Sequence, residues 1–205
     1  MAFFPRARYT GLTRVCVALV VLNADVHAGE LTKFRLEPEA DGYRMNVQGL
    51  ILAPKAAVWR VLTDYAELNR ISPRIIESEL VETNGAGISR VRTLNRLCFL
   101  AFCRDLRHVQ LIRERTYGDF ESDSVAAESD LSRGHARWRL ESEGAATRLV
   151  IDFRFAMDSY AWVPSFVTHF VARSVLKEDA EALINGIEQA SRHRKIRIED
   201  ERNGG

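Results

Sequence analysis

The sequence predicts an α+β fold: a curved antiparallel sheet wrapped around a long C-terminal helix, with two short helices after the first strand. Three observations predict it. An alternating apolar pattern from Tyr43 to Ile51 gives way to a helical pattern at Pro54. After Pro73 the period falls to two and stays there for about eighty residues. It then returns to the helical period from about Pro164 to Ala190. One helix cannot cover a face of a large curved sheet without leaving space at its edges, so an apolar pocket between the two is expected.

The chain opens with Arg6, Arg8 and Arg14, followed by the apolar run VCVALVVL from Val15 to Leu22, a polar break and VHAGE. Basic, apolar and small-residue regions in that order are those of a secretory signal, with Val26 and Ala28 at the small-residue positions and cleavage expected after Ala28. The run is shorter than the roughly 20 residues that span a bilayer. Residues 1–28 therefore read as a signal peptide, with Cys16 inside it and the bacterial periplasm as the destination. Its removal takes three of 29 basic and one of 28 acidic side chains, leaving 26 and 27 on 177 residues. A near-neutral exported chain of that length suits one domain and gives no electrostatic case for nucleic acid. The domain is placed at residues 29–190. Residues 191–205, with RHRKIRIEDERNGG from Arg192, carry too few apolar side chains to pack and are expected as a disordered tail.

In the first strand Tyr43, Met45, Val47 and Ile51 alternate with Arg44, Asn46 and Gln48. Pro54 opens a helix, where its missing N–H has no intrahelical partner to lose. Val58, Val61, Leu62 and Tyr65 then form one apolar face that Trp59 broadens. Asp64 interrupts that helix and caps a second short one, which ends before Pro73. Strands follow at Ile76–Thr83, ending in the turn NGAG, and at Ile88–Leu97, Arg104–Arg115 and Phe120–Ser129. HARWRLE places Trp138 and Leu140 on one face of the next strand, and EGAAT turns it into the last. In that last strand, RLVIDFRFAM, Leu149, Ile151, Phe153, Phe155 and Met157 point inward and Asp152 and Arg154 outward. The closing helix has a core stripe of Phe166, Phe170, Leu176, Ala180, Leu183 and Ile187, with Val167, Val171 and Val175 on the opposite side of its first half.

The segment ILAPKAAVWRVLTDYAELNRISPRIIES, Ile51 to Ser78, resembles the START-like, helix-grip superfamily, also called SRPBCC, and within it the polyketide cyclase and coenzyme Q-binding group. The matching residues are Ala53–Pro54, Val58–Trp59, Leu62 to Tyr65, Leu68, Pro73 and Ser78, with GHARWRLE, TRLVIDFRF and the last helix in agreement. The resemblance covers about Tyr43 to Ala190. It implies a helix-grip fold with a deep cavity between sheet and C-terminal helix, holding a lipid, an isoprenoid quinone or a polyketide-like molecule. Members include carriers, chaperone-like binders and ring-closing enzymes, so fold does not decide among them.

No metal-ligand spacing links His27, His108, His135, His169 and His193, and neither a metal nor a cofactor is expected. There is no G-x-S-x-G elbow, P-loop or dinucleotide fingerprint. Polar side chains that strand phasing can turn inward are Thr93, Asn95, His108, Gln110 and Arg113. Trp138, Phe153, Phe155, Phe166 and Phe170 are the expected apolar lining, and His169 falls on the inner side of the last helix. The expected ligand-binding set is thus Thr93, Asn95, Arg113, these five aromatic residues and His169, with no residue assigned a catalytic role.

Cys98 and Cys103 bracket FLAF between two strands. A redox pair is normally C-x-x-C at a helix N-terminus, and zinc needs about four ligands. In an oxidising compartment, two cysteines facing each other across a hairpin ladder read as a disulfide that staples an apolar tip. The reading that follows is an exported, non-enzymatic module that sequesters or carries a hydrophobic small molecule. A transient membrane contact at the cysteine loop and at Tyr160 and Trp162 is a further expectation. Two alternatives stand beside it. One is a cyclase or aromatase-like enzyme using His169, Arg113 or Tyr160; the other is a protein-binding domain using the cysteine loop and the Val167, Val171, Val175 face.

Overall fold

The computed structural model describes residues 29–99, 102–156 and 165–203, and of residues 99, 102, 165–172 and 193–203 it describes the backbone. Eight strands form one antiparallel sheet: β1 (Glu30–Glu39), β2 (Gly42–Ile51), β3 (Ile75–Thr83), β4 (Ile88–Phe99), β5 (Phe102–Thr116), β6 (Asp119–Ser124), β7 (Arg133–Glu143) and β8 (Ala146–Ala156). Their spatial order is β1-β2-β8-β7-β6-β5-β4-β3. The chain leaves β2, crosses to the far edge through helix α1 (Lys55–Leu62) and a 3-10 turn (Leu68–Arg70), then meanders back until β8 pairs with β2. Helix α2 (Ser165–Asn203) follows and packs against α1, β1 and β2. The helix-grip-like arrangement of long antiparallel sheet and C-terminal helix is as expected.

Four local features differ from the sequence reading. Strand β1 precedes the strand taken as the first; only Leu36 in it is buried, so its pattern shows little of a sheet's period. Of the two short helices, one is an α-helix and the other only a 3-10 turn. Burial of Leu68 and Ile71 sets that turn, and few residues remain before Pro73. The strand expected to reach Ser129 stops at Ser124, because Ser129 instead bonds the backbone of Val109 through its hydroxyl at 2.9 and 3.1 Å. Helix α2 runs past Ala190 to Asn203, through the segment expected as a disordered tail. No proline or glycine interrupts residues 187–203, and Arg192 pairs with Glu188 one turn back at 2.6 Å.

Pro54 stands at the N-cap of α1, extended at φ −62° and ψ 144°, and its carbonyl accepts from Ala57 and Val58. Thr63 ends the helix by turning its hydroxyl back to the Trp59 carbonyl at 2.9 Å. The face of Ala57, Val58, Val61 and Leu62 is buried, the last three in the main core with Ile184 and Ile187 of α2. Two glycines permit the close approach of α2. A Cβ at Gly49 would stand 2.4 Å from Ile184, and one at Gly186 would stand 2.2 Å from the carbonyl oxygen of Ile71. Glu188, 2 % exposed, ties the helix to the end of β2 by accepting from the Leu52 N–H at 2.7 Å.

The outer face of the sheet carries the scattered charges as cross-strand pairs, among them Arg44–Asp152 and Arg137–Asp119. Partly exposed pairs of this kind contribute little each, so the fold rests on the inner face.

Candidate functional site

Between α2 and the inner face of the sheet lies a partly open cavity of about 280 Å³. The strand period dictates which residues line it. On β8, Ile151 and Phe153 face inward; on β7, Ala136 and Trp138; on β2, Met45 and Val47. Cross-strand register aligns these, with Phe153 opposite both Met45 and Ala136. On β5 the inward positions are His108, Gln110 and Ile112, next to Thr93 and Asn95 of β4 and Phe120 and Ser122 of β6. The roof comes from Leu176, Asp179, Ala180 and Leu183 of α2, and the end from Leu62, Tyr65, Leu68 and Ile71.

Four of the residues expected to touch a ligand line this space: Thr93, Asn95, Trp138 and Phe153. Phe155 shares their face but lies beyond the cavity, where it is buried and stacks on Phe153 at 4.9 Å and Tyr43 at 5.9 Å. Arg113 does not line it. Its strand turns Ile112 inward, so Arg113 points to the outer face and pairs there with Asp123 at 2.5 Å. Phe166, His169 and Phe170 are placed on α2 by their backbone, and their side chains lie outside the described residues, as do Tyr160, Trp162 and the side chains of the cysteine-loop tip.

Sequence reasoning missed Arg74, Asp179 and Ser122. Arg74 donates from Nε to Asp179 at 2.6 Å, joining the β3 end of the sheet to α2 across the cavity wall. Asp179 lies three residues after Leu176 and four before Leu183, so the helical period puts it beside the core stripe. Burial pushes its carboxyl above the ordinary range, and Arg74 pulls the other way. Ser122 follows from period two once Phe120 is known to face inward.

The polar wall is bonded in part. The Asn95 amide donates to the Thr93 hydroxyl at 2.9 Å, and that hydroxyl donates to the His108 carbonyl at 3.4 Å. Nε2 of His108 shares a hydrogen with the Ser124 hydroxyl at 2.7 Å. Burial holds the His108 imidazole down to about 4, so it is neutral at physiological pH. Tyr65 donates to Glu114 at 2.9 Å, and burial and that carboxylate's charge push its phenol well above the usual range. The Tyr65 carbonyl in turn accepts from Ser78 at 2.7 Å. Tyr65, Asp179 and Nε2 of His108 are therefore each bonded to a neighbour, and most of the lining is apolar. What the arrangement does readily is enclose an apolar body.

Cys98 and Cys103 are cross-strand partners in the β4–β5 ladder and form a disulfide with Cα atoms 4.0 Å apart. Among the described residues there is no group of three metal-ligating side chains. Nor is any helix among them long and apolar enough to cross a membrane.

Comparison with known proteins places this geometry. Residues 51–184 match the family model described as polyketide cyclase / dehydrase and lipid transport. The fold is similar to that of TTHA0849 from Thermus thermophilus, at 20 % identity and a TM-score of 0.61, covering 74 % of this chain and 98 % of that one. It is also similar to the Zhui aromatase/cyclase from Streptomyces sp. R1128, at 16 % identity and a TM-score of 0.61, covering 74 % and 94 %. A START superfamily protein from Mycobacterium smegmatis superposes with a TM-score of 0.59 at 15 % identity, covering 71 % and 97 %. At such identities the likeness is one of fold. Among curated proteins, none matches this chain.

Proposed function

Because the chain belongs to the polyketide cyclase / dehydrase and lipid transport family, we propose that it is an exported module that binds a hydrophobic small molecule in the cavity between sheet and C-terminal helix. The observation that carries this reading is the cavity itself, about 280 Å³ with a wall of Met45, Val47, Trp138, Ile151 and Phe153. Among those side chains only the Trp138 indole carries a hydrogen-bonding N–H, too little to hold water, which favours an apolar occupant, and each Å² of apolar surface taken from water contributes about 25 cal/mol. The role is carriage or sequestration, with a lipid, an isoprenoid quinone or a polyketide-like molecule as the candidate ligand. A ring-closing enzyme needs an acid or base free to meet its substrate. Here Nε2 of His108 is bonded to Ser124, Tyr65 to Glu114 and Asp179 to Arg74, which favours binding over catalysis. The leader at residues 1–28 supports a periplasmic location, and the Cys98–Cys103 disulfide is in keeping with an oxidising compartment.

The test fills the cavity. Ala136 lies on its wall at 6 % exposure, and Ala136→Phe places a ring in the space the ligand would take. The folded variant should lose binding of an apolar fluorescent probe by at least about tenfold, while Asp152→Asn on the outer face leaves it unchanged. Equal probe binding by Ala136→Phe and the parent, both folded by circular dichroism, would refute the reading.

A further inference from the structure

The cavity has two unlike ends. Toward β2, β8 and β7 its wall is apolar, whereas on β4, β5 and β6 the same wall presents Thr93, Asn95, His108, Gln110 and Ser122. Resting on the reading that the cavity binds a hydrophobic molecule, we propose that its ligand is uncharged and carries an oxygen-bearing head, a hydroxyl or a carbonyl. That head docks on Asn95, His108, Gln110 and Ser122, and the apolar body lies against β7, β8 and β2.

The hydrogen-bonding capacity of the wall is what selects this class. The Thr93 hydroxyl is occupied, accepting from Asn95 and donating to the His108 carbonyl. Asn95, also a lining residue, uses its amide N–H on Thr93, and its side-chain carbonyl has no partner among the described residues. Among the described residues, the Gln110 amide and the Ser122 hydroxyl have no hydrogen-bond partner. Ser122 is 5 % exposed and lines the cavity, so an occupant of that space is what covers it. The His108 ring uses Nε2 on Ser124, and Nδ1 remains. Donors and acceptors are both present, and a hydrocarbon in the cavity would cover them without pairing them, which is costly, so a ligand that supplies a partner gains over a pure hydrocarbon.

Charge selects against the ionised classes. Among the described lining residues the charged side chains are Arg74 and Asp179, paired at 2.6 Å. The pair is neutral as a whole, so a carboxylate reaching the remaining Nη donors of Arg74, or an ammonium reaching Asp179, meets no net opposite charge. Burial keeps His108 neutral, so it offers no charge to either. An ionised head would therefore lose its hydration without gaining a counter-ion.

Three probes of similar size separate the possibilities: naphthalene, 2-naphthol and 2-naphthoate, titrated at neutral pH into the protein and followed by calorimetry. 2-Naphthol should bind about tenfold tighter than naphthalene, and 2-naphthoate more weakly than either. The double variant Gln110→Leu, Ser122→Ala should erase the advantage of naphthol and leave naphthalene affinity in place, with melting temperature confirming that it folds. Naphthoate binding tightest, naphthol no better than naphthalene, or the double variant weakening all three alike would overturn the head site and leave the cavity reading standing. Failure of all three to bind the folded parent protein would overturn both.

Discussion

Gly186→Ala sets two physical effects of opposite sign against each other. In a solvent-exposed helix interior this change stabilises by about 1 kcal/mol, because alanine is the better helix former. In α2 the new Cβ would stand 2.2 Å from the carbonyl oxygen of Ile71, 2.7 Å from its carbonyl carbon and 3.1 Å from its Cα. All three are backbone atoms, so no rotamer change relieves the contact. Ile71 is itself 3 % exposed, and its N–H is bonded to the Leu68 carbonyl at 3.1 Å. Ordinary contact lies near 3.5 Å, so the helix or the turn must move by about 1 Å. Overpacking of this kind costs typically about 1–3 kcal/mol, and contact with backbone alone puts it at the upper end. Subtracting the propensity gain leaves a net loss of about 2 kcal/mol. For a domain of this size that lowers the melting temperature by roughly 4–8 °C. Differential scanning calorimetry of parent and variant decides it: a variant melting at or above the parent would mean that α2 does not press on the Leu68–Ile71 turn.

Acid sensitivity should trace in part to His108. The unfolded chain takes up its proton near 6.5 and the folded chain only at about 4. Stability from this group is therefore complete above 6.5 and lost as pH falls through 4, by about 3 kcal/mol, with no further loss from it well below that. Urea unfolding of the parent and His108→Gln across this window should show the difference narrowing by that amount; parallel profiles would contradict it. Protein recovered from the periplasm should begin at Gly29 and show no free thiol after denaturation and alkylation, whereas two reactive thiols would remove the staple. Cys98→Ser with Cys103→Ser should destabilise by about 2 kcal/mol, the entropy of so small a loop, as read from denaturant midpoints.

The architecture was legible because its signals are periodic. The inward run Leu149, Ile151, Phe153, Phe155 and the stripe Leu176, Ala180, Leu183, Ile187 each repeat at the spacing of their element. Phe153 and Trp138 could be placed on the cavity wall for the same reason. β5 was harder to read, because both of its faces are half polar. Arg113 and His108 look alike as inward candidates until register with β6 shows Ile112 opposite the buried Ser122. The Arg74–Asp179 pair joins residues 105 positions apart, and no local pattern announces it. β1 was hidden because an edge strand with one buried residue has almost no hydrophobic period. The tail past Ala190 is helical in a segment of good helix formers continuous with a packed helix, which composition alone reads as disordered.

The central claim is that the cavity holds a hydrophobic molecule, and native mass spectrometry of protein purified from the periplasm tests it most directly. The parent protein should carry an added mass that collisional activation removes, and an organic extract of the same sample should contain the matching apolar compound. Protein with Ala136→Phe, prepared in parallel, should lack both. A parent protein that flies at its bare polypeptide mass, with an extract no different from that of the filled variant, would contradict the account.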